Sequence, residues 1–408
     1  MPNVTGLARL AAMGAIIALA GCGSLLRNPV PVSAASMATI PHLPDVRVRA
    51  GQPSAAMVQD LVDSFAQESR RDFPRAADGT IHYAHLALSG GGASGAFGAG
   101  FLNGWSQTGD RPRFKIVTGV STGALMAPFA LLGPAHDGAL RDFYTTTSSR
   151  DIFIVGSVLN LATRVLTGEA LLDTSPLAAL IAKHVDAALL REIGEAHAHG
   201  QRLYIGTVDL DSLDFIVWNM GLIALSGRPE SLDLFRQVML ASASIPIAFP
   251  PVLFDVESGG GRYDELHVDG GVGARVFYSA GLFRPSIIRQ RGGHGTEEGR
   301  EDIFIIHNGQ IRPAAQPTRR TVLGITTRVL DASSRSAVIG ALHRIYAVAQ
   351  IEQAGFHWVT IPEGISISGE ETFDPVAMQA LYDVGYRSAV TGAQWATRPP
   401  GLWVEPFP

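Results

Sequence analysis

Twice in close succession the chain runs through an apolar stretch, stops at glycine, and continues as a helix-like segment. Tyr83 to Ser89 reads as a buried strand and ends in Gly90, Gly91, Gly92 and Gly95, and Gly95 to Gln107 then reads as a helix. Phe114 to Val120 repeats the pattern, and Ser121 opens an apolar helical stretch reaching about Leu132. Parallel neighbours in a sheet need a crossover between them, usually a helix. Further strands are predicted at Arg202–Val208, Asp214–Asn219, Glu265–Val268, Asp302–His307 and Phe356–Ile361. Helices are predicted at Ser175–His199, Ser231–Ala243, Ala337–Gln353 and Asp374–Ala389, the last opened by an Asp-Pro pair suited to an N-cap and first turn. The alternation predicts an α/β fold in three layers, a mostly parallel central sheet flanked by helices on both faces.

Of 408 residues, 46% are hydrophobic, which is ample for a core, and the net charge of −5 shows no basic stripe for nucleic acid. The same figures exclude global disorder. The single cysteine, Cys22, excludes an intramolecular disulfide and a cysteine-based zinc cluster. No organic cofactor is expected. No metal is expected either, because the His197-x-His199 pair points to different faces of a helix.

The position of that cysteine is informative. Leu10 to Ala20 is apolar or small throughout, too short for the roughly 20 residues that span a bilayer and suited to a signal segment. It ends in Leu19-Ala20-Gly21-Cys22, which resembles the lipobox of bacterial lipoproteins. That resemblance implies removal of residues 1–21, acylation of Cys22, and a membrane-anchored, extracytoplasmic location. By the same resemblance, Gly23 and Ser24 after it, in place of an Asp, imply the outer membrane. The plainer alternative is an ordinary signal peptide. Residues 22–53, rich in Pro, Ser and Ala, read as a flexible tether. Residues 54–80 read as an N-terminal helical segment, with Ser54 as cap and Val58, Leu61, Val62 and Phe65 on one face. A catalytic unit at 81–290 and a C-terminal α/β extension at 291–408 follow. Gly292, Gly293, Gly295 and Gly299 mark a flexible loop between them.

Three glycine-bearing motifs carry chemistry. Gly119-Val120-Ser121-Thr122-Gly123 is a GxSxG, in which flanking glycines permit a sharp strand-to-helix turn that lifts the serine hydroxyl clear. The helix N-terminus beneath it favours developing negative charge. In Ser89-Gly90-Gly91-Gly92-Ala93-Ser94-Gly95, consecutive glycines expose backbone N–H groups that can hold an oxyanion. Gly90, Gly92 and Gly95 also satisfy a dinucleotide GxGxxG, but that motif wants an acidic residue at the end of the next strand. Asp110 precedes that strand, and Ser121 stands at its end. Val268-Asp269-Gly270-Gly271 places a carboxylate at a strand end, either as a general base or as an ordinary turn former.

In this order the three motifs resemble the patatin-like phospholipase family. Ala243-Ser244-Ile245-Pro246 and Phe249-Pro250-Pro251 also resemble the segment before the family's DG[GA] motif. The resemblance implies a lipid acyl hydrolase with a patatin-like three-layer fold and a Ser–Asp dyad of Ser121 and Asp269. The oxyanion would be held by the Gly90, Gly91 and Gly92 region, with Gly95, Gly119, Gly123, Gly270 and Gly271 in support. The substrate would be a lipid or other acyl ester, with the membrane contacted through acylated Cys22. One departure is Ser94, where many members of the family carry Arg or Lys in the glycine loop. Two alternatives remain. One is a Ser-Asp-His triad using His307 or His343, with His267 a further neighbour of Asp269. The other is a surface lipoprotein that keeps the fold without activity. Phe97, Phe101, Met126 and Phe129 either line an acyl pocket or pack in the core, and residues 145–150 and 152–166 either cap the site or form a core helix pair.

Overall fold

A computed structural model describes residues 27–155, 170–292, 299–365 and 371–402. The expected signal segment, Cys22, most of the proposed cap and the centre of the glycine-rich loop at 292–299 lie outside the described residues.

The strands, in chain order, are β1 (Arg47–Arg49), β2 (Ile81–Leu88), β3 (Phe114–Gly119), β4 (Ile154–Val155), β5 (Leu172–Asp173), β6 (Arg202–Asp209), β7 (Phe215–Asn219), β8 (Val252–Ser258), β9 (Gly261–Asp269), β10 (Gly299–His307) and β11 (Gly355–Thr360). The helices are α1 (Ala55–Ala66), α2 (Gly95–Thr108), α3 (Thr122–Leu132), α4 (Asp137–Thr145), α5 (Ser149–Ile152), α6 (Ser175–His184), α7 (Ala187–Ala198), α8 (Met220–Leu225), α9 (Ser231–Ser242), α10 (Pro285–Arg291), α11 (Val322–Glu352) and α12 (Pro375–Val390).

The main sheet runs β1-β7-β6-β3-β2-β10-β11, with β9 paired to the far end of β6 and β8 to β9. Strands β6, β3, β2, β10 and β11 are mutually parallel; β1, β7, β8 and β9 join antiparallel. Successive residues of a strand feed opposite faces. On β2, Leu86 and Leu88 enter the core under α2, α3 and α9, while Tyr83 and Ala87 enter the second core under α1 and α11. Two cores separated by one sheet are the three predicted layers. The chain leaves β2 toward β3 on one side, and β10 lies on the other. The carboxyl ends of β2, β3 and β10 therefore meet where the strand order reverses, which is where open α/β sheets place their ligands.

Four elements differ from expectation. Residues 27–53 are not a free tether: Arg27 bonds Asp264 at 2.7 Å and Asp211 at 2.6 Å, and β1 pairs with β7. Buried Arg47 also pairs with buried Glu265, so charge and strand pairing hold what composition suggested was loose. The single helix expected over 175–199 is two, because the Asp186 carboxylate caps the N–H groups of Ala188 and Leu189 and restarts the helix. The strand expected at 265–268 is one arm of a long hairpin, β8–β9, turned at Gly259 and Gly260, both with positive φ. Helix α11 starts at Val322, fifteen residues before the expected start at Ala337.

Candidate active site

The glycine loop follows β2, Ser121 follows β3, and Asp269 ends β9, whose antiparallel partner β6 lies beside β3. The register that sets Thr207 of β6 opposite Asp269 brings the aspartate alongside the end of β3. All three motifs thus converge on one edge of the sheet.

Ser121 adopts φ +56°, a left-handed conformation that is costly outside glycine and marks a sharp turn between β3 and α3. The turn is held from several sides. The Ser121 N–H donates to Ser242 Oγ at 3.0 Å, and that hydroxyl donates to the Gly206 carbonyl at 2.7 Å. A Cβ at Gly119 would lie 2.4 Å from the Gly123 carbonyl, and one at Gly123 2.3 Å from the Leu88 carbonyl. Both glycines of the GxSxG are therefore required by close approach. Gly270 is required in the same way, since its Cβ would lie 2.3 Å from the Gly206 carbonyl.

Asp269 is buried. Its N–H donates to the Ser244 carbonyl at 2.9 Å, so the end of α9 ties Ser121 through Ser242 and Asp269 through Ser244. Its carboxylate accepts from the Gly271 N–H at 2.7 Å and interacts with the Ser121 hydroxyl. Burial pushes its pKa up to about 6, outweighing the stabilising hydrogen bonds and the positive charge of Arg275. The carboxylate is thus a stronger base than an exposed one, yet ionised at neutral pH.

The glycine loop passes directly over the serine: a Cβ at Gly90 would stand 3.1 Å from Ser121 Cβ. The Gly90 N–H is already committed to the Arg275 carbonyl at 3.0 Å, which corrects its place among the oxyanion donors. The N–H groups of Gly91, Gly92 and Thr122 have no acceptor among the described residues. Thr122, the first residue of α3, was missed by the motif reading, although the residue after a nucleophile commonly supplies this donor. Behind the loop lies a buried polar clamp. Asn308 donates through Nδ2 to the Ser89 carbonyl at 2.9 Å and through its N–H to Ser89 Oγ at 2.8 Å, and its Oδ1 accepts from the Gly98 N–H at 3.1 Å. A Cβ at Gly91 would lie 2.0 Å from the Asn308 carbonyl.

Neither triad histidine reaches the serine. His307 bonds Ser89 Oγ at 3.0 Å, and burial together with the charge of Arg275 lowers its pKa to about 4, so it stays neutral. His343 bonds the Pro400 carbonyl at 3.0 Å on α11. His267 is held by Thr207 and Glu265, not by Asp269. Ser94 carries no charge, and the cation felt by both Asp269 and His307 is Arg275.

A narrow pocket opens at Ser121. Apart from Gly92, Ser121, Thr122, Tyr144 and Thr147, its wall is apolar: Leu125, Phe143, Ile152, Leu177, Ala243, Ile245, Phe249, Phe373 and Met378. Phe97, Phe101, Met126 and Phe129 pack in the core instead. Phe373 and Met378 come from the C-terminal extension, which therefore forms part of the pocket. Among the described residues no cluster of three or more His, Cys, Asp or Glu side chains is arranged to hold a metal ion.

Residues 86–280 match the family model of the patatin-like phospholipases. Among solved structures, the chain is similar to VipD from Legionella pneumophila, at 14% identity and a TM-score of 0.33, covering 78% of this chain and 69% of that one. A search of curated proteins finds no match.

Proposed function

From a chain whose residues 86–280 form a patatin-like phospholipase domain, we propose a lipid acyl hydrolase that works through a dyad of Ser121 and Asp269. The observation that carries this reading is the strained serine facing a buried, weakly acidic carboxylate at the foot of an apolar pocket. Asp269 takes the Ser121 proton as Oγ attacks the ester carbonyl carbon. The resulting oxyanion is met by the N–H groups of Gly91, Gly92 and Thr122. Collapse of the intermediate expels the alcohol, which leaves with the proton from Asp269, and the acyl chain stays on Ser121. Asp269 then deprotonates a water that attacks the acyl carbonyl, and the fatty acid departs as Ser121 recovers its proton. No histidine is required, because the raised basicity of Asp269 does the work usually given to an imidazole.

The apolar wall suits an acyl chain. The cation of Arg275 stands near the reacting carboxylate and compensates in part for uncharged Ser94. Acylation of Cys22 belongs to the same proposal, since it would keep the enzyme beside its substrate. Metabolic labelling with a palmitate analogue, lost in Cys22→Ser, tests it.

A fluorophosphonate probe separates the enzyme from a fold-only lipoprotein. The folded wild type is expected to be labelled and Ser121→Ala to be blank. A folded wild type that stays blank contradicts the hydrolase.

A further inference from the structure

Helix α11 is longer than the sheet it packs on. Its second half is covered, with Val338, Leu342 and Ile345 buried in the core beneath the sheet. Its first turns are not. Val322, Ile325, Val329 and Leu330 are 84%, 51%, 57% and 55% exposed, and they recur at the three-to-four-residue spacing of one helix face. Arg319 and Arg320, both exposed, precede this stripe, and Arg328 lies within it, against the single acid Asp331. An aliphatic stripe edged with arginine is the composition of a helix that lies in a lipid interface.

Topology places this overhang on the active-site edge. The chain reaches α11 from the carboxyl end of β10, and Ser334 of α11 accepts a hydrogen bond from Arg275, the cation beside Asp269. From Ser334 back to Val322 is twelve residues of helix, about 18 Å beyond that contact.

The same edge carries a second apolar display. Ile247 has φ +72° and is 68% exposed, a β-branched residue strained to hold its side chain in water. It sits between Ile245 and Phe249, which line the pocket. The Leu171 N–H donates to the Ile247 carbonyl, and the Leu172 N–H to the Ala248 carbonyl, each at 3.0 Å. Leu172 pairs in turn with Val155, itself 63% exposed. When an acyl chain fills the pocket, the rest of its lipid must emerge among these residues.

We propose that this edge docks onto an anionic lipid surface, with the first turns of α11 and the Ile247 loop dipping into it. The proposal rests on the acyl-hydrolase reading only for what the pocket holds. The arginines select negative headgroups, and the aliphatic residues supply the insertion.

Because Cys22 is the only cysteine, a Cys22→Ser background lets one engineered cysteine carry an environment-sensitive fluorophore. Ile325→Cys and Ile247→Cys are each mixed with vesicles of phosphatidylcholine and phosphatidylglycerol. Ile351→Cys is the control: it is 63% exposed on the same helix but at the opposite edge, where the chain enters β11. Blue-shifted emission, quenched by bilayer-borne quencher at 325 and 247 and not at 351, is expected. No shift at 325 and 247, or an equal shift at 351, overturns the proposal. So does a shift without vesicles that tracks self-association. In a second arm, Ile247→Ser is expected to cut hydrolysis of vesicle-borne ester about ten-fold while leaving a soluble short-chain ester unaffected. Equal rates on both contradict docking. Absence of hydrolysis on either ester in the wild type contradicts the hydrolase reading alone, and the fluorescence arm still decides the docking.

Discussion

Asp269 carries a conflict between stability and chemistry. Its pKa of about 6, against 3.8 for an ordinary aspartate, means the folded state holds this proton more tightly than the unfolded chain. That contribution is fully present below about pH 4 and is lost as pH rises through about 6, so the ionised carboxylate costs up to about 3 kcal/mol at neutral pH. Asp269→Asn, which can keep the bond from the Gly271 N–H, is therefore expected to unfold at higher temperature than the wild type near pH 8. The gap should close near pH 4. In the proposed role Asp269 must be ionised to accept a proton, so kcat/KM on a soluble ester should rise with pH to a plateau above about 6. A flat profile across that range would argue for a different base. Asn308 touches no reacting atom, and its role is to hold Ser89 and Gly98 on either side of the loop. Asn308→Ala is expected to lower kcat about 10–100-fold with little change in KM, by misaligning the Gly91 and Gly92 donors. A rise in KM alone would count against positioning. Ser121, Asp269 and the loop glycines could be read directly, because a turn of this kind imposes residue types on the sequence. Asn308, Ser242 and the spent N–H of Gly90 could not, since each depends on a partner more than thirty residues away.

Helix α12 illustrates what element-level reading misses. Its caps and periodicity predict a helix at 374–389, and one forms at Pro375–Val390. Nothing local indicates that it lies against α2 backbone to backbone. A Cβ on Gly385 would stand 2.0 Å from the Phe97 carbonyl, and one on Gly100 would stand 1.9 Å from the Tyr382 carbonyl. Gly385→Ala is expected to lower stability by about 1–3 kcal/mol, measured by thermal or urea unfolding. The contact has a functional side, because it sets Met378 and, through the segment before it, Phe373 into the pocket wall. Met378→Ala should shift preference among soluble esters toward longer acyl chains, with Ser121 labelling unchanged. The parallel core strands were legible as apolar runs. The β8–β9 hairpin was half-missed although Gly259-Gly260 between alternating residues is a hairpin signal, and α11 was cut short because its first turns bury little.

At the scale of the whole molecule, the amino-terminal arm changes the geometry of any anchor. Only residues 23–26 separate Cys22 from Arg27, which is fixed to Asp264 and Asp211. Asp264 lies three residues beyond the last β6–β9 pair, past the carboxyl end of β6 and so toward the active-site edge. Five residue spacings reach at most about 18 Å, so an acylated Cys22 would hold that edge close to the bilayer and not on a long leash. The arm is also structural. Arg47→Ala leaves Glu265 buried and short of its closest cation, with an expected loss of about 3 kcal/mol in unfolding free energy. Composition suggested a tether because its Pro and Ala residues carry no periodicity; the ion pairs that fix it join residues 184 to 237 positions apart. The proposed mechanism requires Ser121 to carry the acyl group. The direct measurement is to mix the protein with a chromogenic acyl ester, quench in acid during turnover, digest, and map the added acyl mass. The adduct is expected on the peptide bearing Ser121 and is expected to be absent from Ser121→Ala. Turnover with the acyl mass on another residue, or continued turnover in Ser121→Ala, would contradict it.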